Sequence, residues 1–294
     1  MRRGDTIRPC RDREANRGAV PFTASHPAVV LPLLRPLGRL GVPPSALVVG
    51  SLAPDLPFYV TVTSLTTWTH SLAGAVSLDV LVGAVAFVGW RTIGRPAAGV
   101  LLPGLFTPST GTVGGTRTGK ARLNPLAVVA GLAVGALTHV VWDSFTHSGT
   151  WGVRHLPWLA AAHGPLPGYE WAQYASTVVG LAVLAVWCAR RARPGPALGG
   201  PEPASRRARR AWALVGGALV VGASLGVWIG IGSEADPVRG AVFLAATRGG
   251  LAALLAVAAI GVTVVASSRS SPAGADAPLT EDPHAADRGS RPAR

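Results

Sequence analysis

The chain predicts an all-α fold: a polytopic membrane helical bundle of about five spanning helices plus a short N-terminal helical hairpin. Three observations carry that expectation. The 294 residues are 49% hydrophobic and only 14% charged, with mean hydropathy +0.37. The apolar residues are gathered in blocks, several of which reach the roughly 20 residues that a bilayer-crossing helix needs. The blocks are continuous rather than alternating, which argues against a membrane β-barrel.

Residues 1–19 hold six arginines and no periodicity, and read as a disordered basic tail. They lack the apolar segment of a secretory signal peptide. Ser25 then offers a cap for a helix whose first turn contains Pro27. Ala28–Leu40 and Ser45–Ala53 are each too short to span and are separated by Gly41-Val-Pro-Pro44. Together they predict a hairpin that is re-entrant or packed inside the bundle. Such a hairpin returns His26 and Asp55 to the same side of the membrane. Asp55 sits between Pro54 and Pro57, in a stretch expected to be kinked and non-helical.

The five expected spans are Leu72–Trp90, Leu126–Asp143, Trp171–Cys188, Ala211–Gly232 and Ala241–Ala266. Residues 91–122, rich in Gly, Pro and Thr, predict a mobile loop, and 144–168 a second loop with three histidines. In domain terms the chain divides into the tail 1–19, a membrane core 20–190 carrying the candidate site, a basic cytoplasmic linker 191–210, two further spans in 211–266, and a disordered tail 267–294. Cys10 and Cys188 imply no disulfide framework.

The net charge is +13, and Lys120 is the only lysine. Nucleic-acid binding would account for such a balance, but the arginines lie beside apolar runs, where they set topology. No nucleic-acid partner is expected; the bilayer is. Residues 91–122 and 189–210 carry 12 Lys plus Arg, whereas 56–69, 144–168 and 233–240 carry only Arg154 and Arg239. The positive-inside rule puts the first pair in the cytoplasm, with the C-terminus, and the second set outside. The five spans alternate without conflict. The Ala, Gly, Val, Arg and Pro usage points to a GC-rich bacterial genome and so to a bacterial plasma membrane. One feature disagrees: with His26 outside, the arginines of 1–19 would be outside too. Either the hairpin does not cross, or translation starts at Val20 on a GTG codon.

The functional signal is Gly135-Ala-Leu-Thr-His-Val-Val-Trp-Asp-Ser-Phe-Thr-His-Ser-Gly149, the polar end of a long apolar run. Ionisable residues in such a run usually have a function. His139 and Asp143, four apart, share one helix face, and His147 continues the spacing. Imidazole and carboxylate on one face suit a divalent ion of the zinc or manganese type. The topology brings His70, Asp55 and His26 or His147 to the same level, as further ligands. Asp55 is also the expected general base. Such a set, with one position open, would lower the pKa of a water toward about 7 and serve hydrolysis of a phosphoester or amide at the membrane surface.

Other readings of these residues stay open. His139 and Asp143 read equally well as a helix-capping or inter-helix hydrogen-bonded pair. His155 and His163 read as solvated loop residues. Asp79, inside a span, wants a partner, and Arg248 on the last span is the expected one. Gly131 and Gly135 fit close helix packing.

PFTASHPAVVLPLLR, SALVVGSLAPDLPFY, THSLAG and GALTHVVWDSFTHSGTW, in that order, resemble the DUF4184 family of uncharacterised bacterial membrane proteins, over roughly residues 20–190. The order Asp, Thr-His-Ser, His-x-x-x-Asp is also similar to the YdjM-like membrane-bound metal-dependent hydrolases. Those proteins tend to carry Asp-x-Asp and His-Arg-Gly-x-Thr-His-Ser, where this chain has Asp55-Leu-Pro57 and Thr66-Thr-Trp-Thr-His-Ser71. The first resemblance implies a membrane fold. The second implies a metal-dependent hydrolase with a lipid or envelope substrate at the outer face. The alternative is a non-enzymatic transporter or scaffold whose His and Asp residues relay protons or bond helices together.

Overall fold

A computed structural model describes residues 23–60, 65–106, 123–192, 204–232 and 237–270. The expected basic tail, the Val20 start and the C-terminal tail from 271 onward lie outside the described residues. Within them the chain is helical apart from one two-stranded hairpin, and five helices are long and apolar enough to cross a membrane. Those five apolar helices mark a membrane protein.

The N-terminal hairpin forms as expected. Its first arm joins a 3-10 turn (Thr23–Ser25), α1 (Pro27–Val30), a second 3-10 turn (Leu31–Leu33) and α2 (Leu34–Arg39). Gly41 then turns the chain with φ +82, a conformation that costs glycine little. The second arm is α3 (Pro44–Leu52), started by a proline whose missing N–H is not needed there. Nine helical residues rise only about 14 Å, less than half the hydrocarbon thickness. Ser25 does not cap α1: His26 holds that position, without a side-chain cap bond.

A 3-10 turn, Ala53–Asp55, leads into α4 (Leu56–Tyr59), and the short α5 (Thr66–Thr69) ends at His70. Ser71 caps α6 (Leu72–Ala75) by accepting from the Gly74 N–H at 2.9 Å. The first span continues through α7 (Leu78–Gly89), a π turn (Trp90–Gly94) and α8 (Arg95–Leu101), followed by α9 (Pro103–Phe106). Residues 91–106, expected in a mobile loop, are therefore mainly helical. The Arg91 guanidinium lies 6.0 Å from the Phe87 ring centre, so its stem covers apolar surface while the helix proceeds. Residues 107–122 lie outside the described set.

The second span, α10 (Pro125–Thr146), starts with Asn124 accepting from the Leu126 N–H. The loop after it contains α11 (Trp151–His155), α12 (Pro157–Ala160) and an antiparallel pair of β1 (Ala162–His163) and β2 (Leu166–Pro167). The remaining spans are α13 (Gly168–Arg191), α14 (Ala204–Ile231) and α15 (Pro237–Ser270).

The core lies where α3 meets α10. A Cβ on Gly50 would collide with the Leu132 carbonyl, and one on Gly135 with the Leu47 carbonyl. The two backbones touch because neither helix carries a side chain at those points. The expected packing role of Gly131 and Gly135 is seen: Gly131 faces Val42 and Ala46 of the hairpin. Ala46, Val49, Val80, Phe87 and Leu132 fill one side of this joint; Val30, Val42 and Leu47 fill the other. Outward faces, such as Leu81 and Val85 on α7 or Val178 and Val179 on α13, stay exposed and apolar, as lipid-facing surfaces do.

Candidate metal centre

Close approach of α3 and α10 sets the first contact of the site. It puts the Ser51 carbonyl 2.8 Å from Nδ1 of His139, a wholly buried side chain. A carbonyl only accepts, so Nδ1 carries the proton and a neutral ring presents a bare lone pair at Nε2. His70 is fixed in the same manner: its Nδ1 donates to the Thr66 carbonyl at 3.1 Å, with Thr69 Oγ1 3.0 Å away.

Both Nε2 atoms face carboxylates. His139 Nε2 is 3.2 Å from Asp143 Oδ2 and 3.5 Å from Asp55 Oδ1. His70 Nε2 is 3.2 Å from Asp55 Oδ1 and 3.6 Å from Asp143 Oδ2. One ligand atom from each of Asp55, His70, His139 and Asp143 falls within 4.8 Å of all the others. The chain can hold a metal ion here.

The other two expected residues lie alongside. His26 stacks on His139, ring centres 3.8 Å apart, and its Nε2 is 3.6 Å from Asp143 Oδ1. His147 falls just past the end of α10, in extended backbone, yet its Nδ1 stays 3.7 Å from Asp143 Oδ1. His155 and His163 do not join. They stack on Trp151 and Trp158 and bond to the carbonyls of those tryptophans.

Asp55 gains support that the sequence did not announce. The Thr23 hydroxyl donates to its Oδ2 at 2.6 Å, and the Tyr59 hydroxyl donates to Thr23 Oγ1 at 3.2 Å. Tyr59 in turn packs where Gly250 of α15 leaves room for its ring. Gln173 of α13 reaches His147 Nε2 at 3.5 Å. Only the i, i+4 spacing of Asp55 and Tyr59 hinted at any of these partners.

Burial alone would raise Asp55, but the facing imidazoles of His139 and His70 outweigh it and hold the carboxyl well below its usual range. Burial would lower His70, yet its bond to Asp55 and the charge of that carboxylate raise it. His26 has no adequate compensation: burial, then His139, pushes it down to about 4.

Asp79 corrects one expectation. It is fully buried and neither carboxylate oxygen has a hydrogen-bond partner; Arg248 does not pair with it among the described residues.

No curated protein and no solved structure matches the chain. A family model does, that of "Domain of unknown function (DUF4184)", over residues 20–267. The match covers every residue of the cluster and also the α14–α15 pair behind Tyr59, well past residue 190 where the motif resemblance ends. The chain belongs to this family.

Proposed function

We propose that the protein is a membrane-embedded, metal-dependent hydrolase acting on a lipid or envelope substrate at the outer face of a bacterial plasma membrane, with its C-terminus in the cytoplasm. The observation that carries this reading is the convergence of two imidazole Nε2 atoms and two carboxylates in one cluster, their ligand atoms within 4.8 Å of one another. Among the described residues His139 Nε2 has no hydrogen-bond partner, although it is buried beside both carboxylates. An imidazole Nε2 this close to a carboxylate needs a proton or a metal ion between the two. The four separations of 3.2–3.6 Å fit that geometry. Two donor atoms about 2.1 Å from one ion, at the tetrahedral angle, are about 3.4 Å apart.

His70, His139, Asp55 and Asp143 would hold the ion, zinc or manganese by donor type. Bound there, it would lower the pKa of a water toward about 7. The chain supplies orientation and dryness. The Ser51 and Thr66 carbonyls fix the two rings, Thr23 fixes Asp55, and the α3–α10 joint excludes water from the inner side. Asp55 takes a ligand's place rather than that of the free general base the sequence suggested, because both its oxygens are engaged. The positive-inside pattern supports the outer face, and the likeness to YdjM-like hydrolases supports the reaction class.

One observation favours a second reading, a proton-relaying or scaffold protein: Asp79, buried in a span with no hydrogen-bond partner among the described residues, lies within electrostatic reach of His70 and His139. Metal analysis of detergent-purified protein separates the two. The hydrolase reading expects a stoichiometric transition metal that is lost in His139→Ala and Asp143→Ala. Wild type without such a metal would leave the relay reading.

A further inference from the structure

Asp143 stands between two sets of imidazoles, one on each carboxylate oxygen. Oδ2 faces Nε2 of His70 at 3.6 Å and Nε2 of His139 at 3.2 Å. Oδ1 faces Nε2 of His26 at 3.6 Å and Nδ1 of His147 at 3.7 Å. A single ion on the Oδ2 side uses the first pair with Asp55 and leaves the second pair without a ligand's role. We propose that the centre is binuclear: a second divalent cation lies on Oδ1, held by His26 Nε2 and His147 Nδ1, with Asp143 as the bridging carboxylate. The inference rests on the metal-dependent reading above and deepens it.

Three features support it. The separations of 3.6 and 3.7 Å exceed the roughly 2.7–3.2 Å of an N–H···O hydrogen bond and lie near the ligand-to-ligand spacing around one ion. His26 is buried, and its Nδ1 has no hydrogen-bond partner among the described residues. Its ring lies 17° from parallel to that of His139, which sets two imidazole ligands side by side over the two oxygens of one carboxylate. A carboxylate bridging through both oxygens holds two ions at the roughly 3.5–4 Å of two-metal hydrolytic sites. Gln173 serves His147 once its amide is turned: its oxygen then accepts from Nε2–H, and Nδ1, which has Thr146 Oγ1 at 3.1 Å, becomes a ligand when that hydroxyl turns its hydrogen away.

The chemistry that such a pair recognises is a phosphate ester, since two ions span two oxygens of one phosphoryl group. The proposal therefore narrows the substrate from any ester or amide to a phosphoester.

The test uses full-length protein purified in detergent, stripped and reloaded with Mn(II), with bound metal counted and the paramagnetic resonance spectrum recorded. Two ions per chain and a spin-coupled spectrum are expected. His147→Gln and His26→Gln should each retain one ion and show the spectrum of an isolated Mn(II), while Asp143→Ala binds none. One ion in wild type, or one ion lost equally in all three variants, would overturn the binuclear proposal and leave the mononuclear reading standing. No ion in wild type would overturn both. Should one histidine variant fail to fold, the wild-type count and spin coupling still decide.

Discussion

Nδ1 of His139 and the carbonyl of Ser51, 88 positions apart in the chain, meet at 2.8 Å, and the contact depends on two glycines rather than on either residue. Gly50 and Gly135 remove the side chains that would hold α3 and α10 apart. The carbonyl then selects the tautomer of a buried imidazole, which links helix packing to the chemistry of the cluster.

Gly50→Ala therefore tests both levels at once. The added Cβ has only backbone to meet, at the Leu132 carbonyl, so nothing flexible can give way. Thermal unfolding in detergent should show a loss of about 1–3 kcal/mol. Competition against a chelator should show weaker metal binding, by about 10–100-fold, as the carbonyl withdraws from His139. Loss of stability with unchanged metal affinity would show that the contact does not orient the ring.

Thr23→Val removes a hydroxyl and keeps the shape. Asp55 Oδ2 then loses its 2.6 Å donor while staying buried. Metal affinity should fall by about 10–100-fold, and Thr23→Ser should restore most of it. Equal affinity in the valine variant would place the aligning role elsewhere.

Asp79→Asn replaces a buried carboxylate that has no hydrogen-bond partner among the described residues by a neutral group of the same size. An unpaired buried polar group costs about 1–3 kcal/mol, and more when charged, so the variant should unfold no earlier than wild type. A fall of the unfolding midpoint would reveal a partner that Asp79 acquires in the membrane.

The most legible part of the molecule was what local spacing controls. His139 and Asp143 share a face because 3.6 residues make a turn, and the apolar runs located all five spans to within a few residues at one end of each. The hairpin was readable because Pro32, Pro36 and Gly41 interrupt runs too short to cross. Other features depend on tertiary contact and left no trace. A carbonyl partner such as that of Ser51 or Thr66 belongs to every residue alike, so no pattern marks it. Arg91 and Arg95 looked like the end of a helix because charge counts against spanning, yet the helix continues through them with a π turn. Asp79 suggested a pairing with Arg248 on charge alone, and the two do not bond.

The order in which the chain is made adds a constraint. Thr23, His26, Asp55 and His70 are synthesised well before His139, Asp143 and His147, which arrive only with the second span. While the ribosome is still on residues 72–138, the early carboxylate has no His139 opposite it and the early imidazoles have no Asp143. Loading of any ion must then follow docking of α10 onto the hairpin, so a chain arrested between the first and second spans has a membrane anchor but no centre.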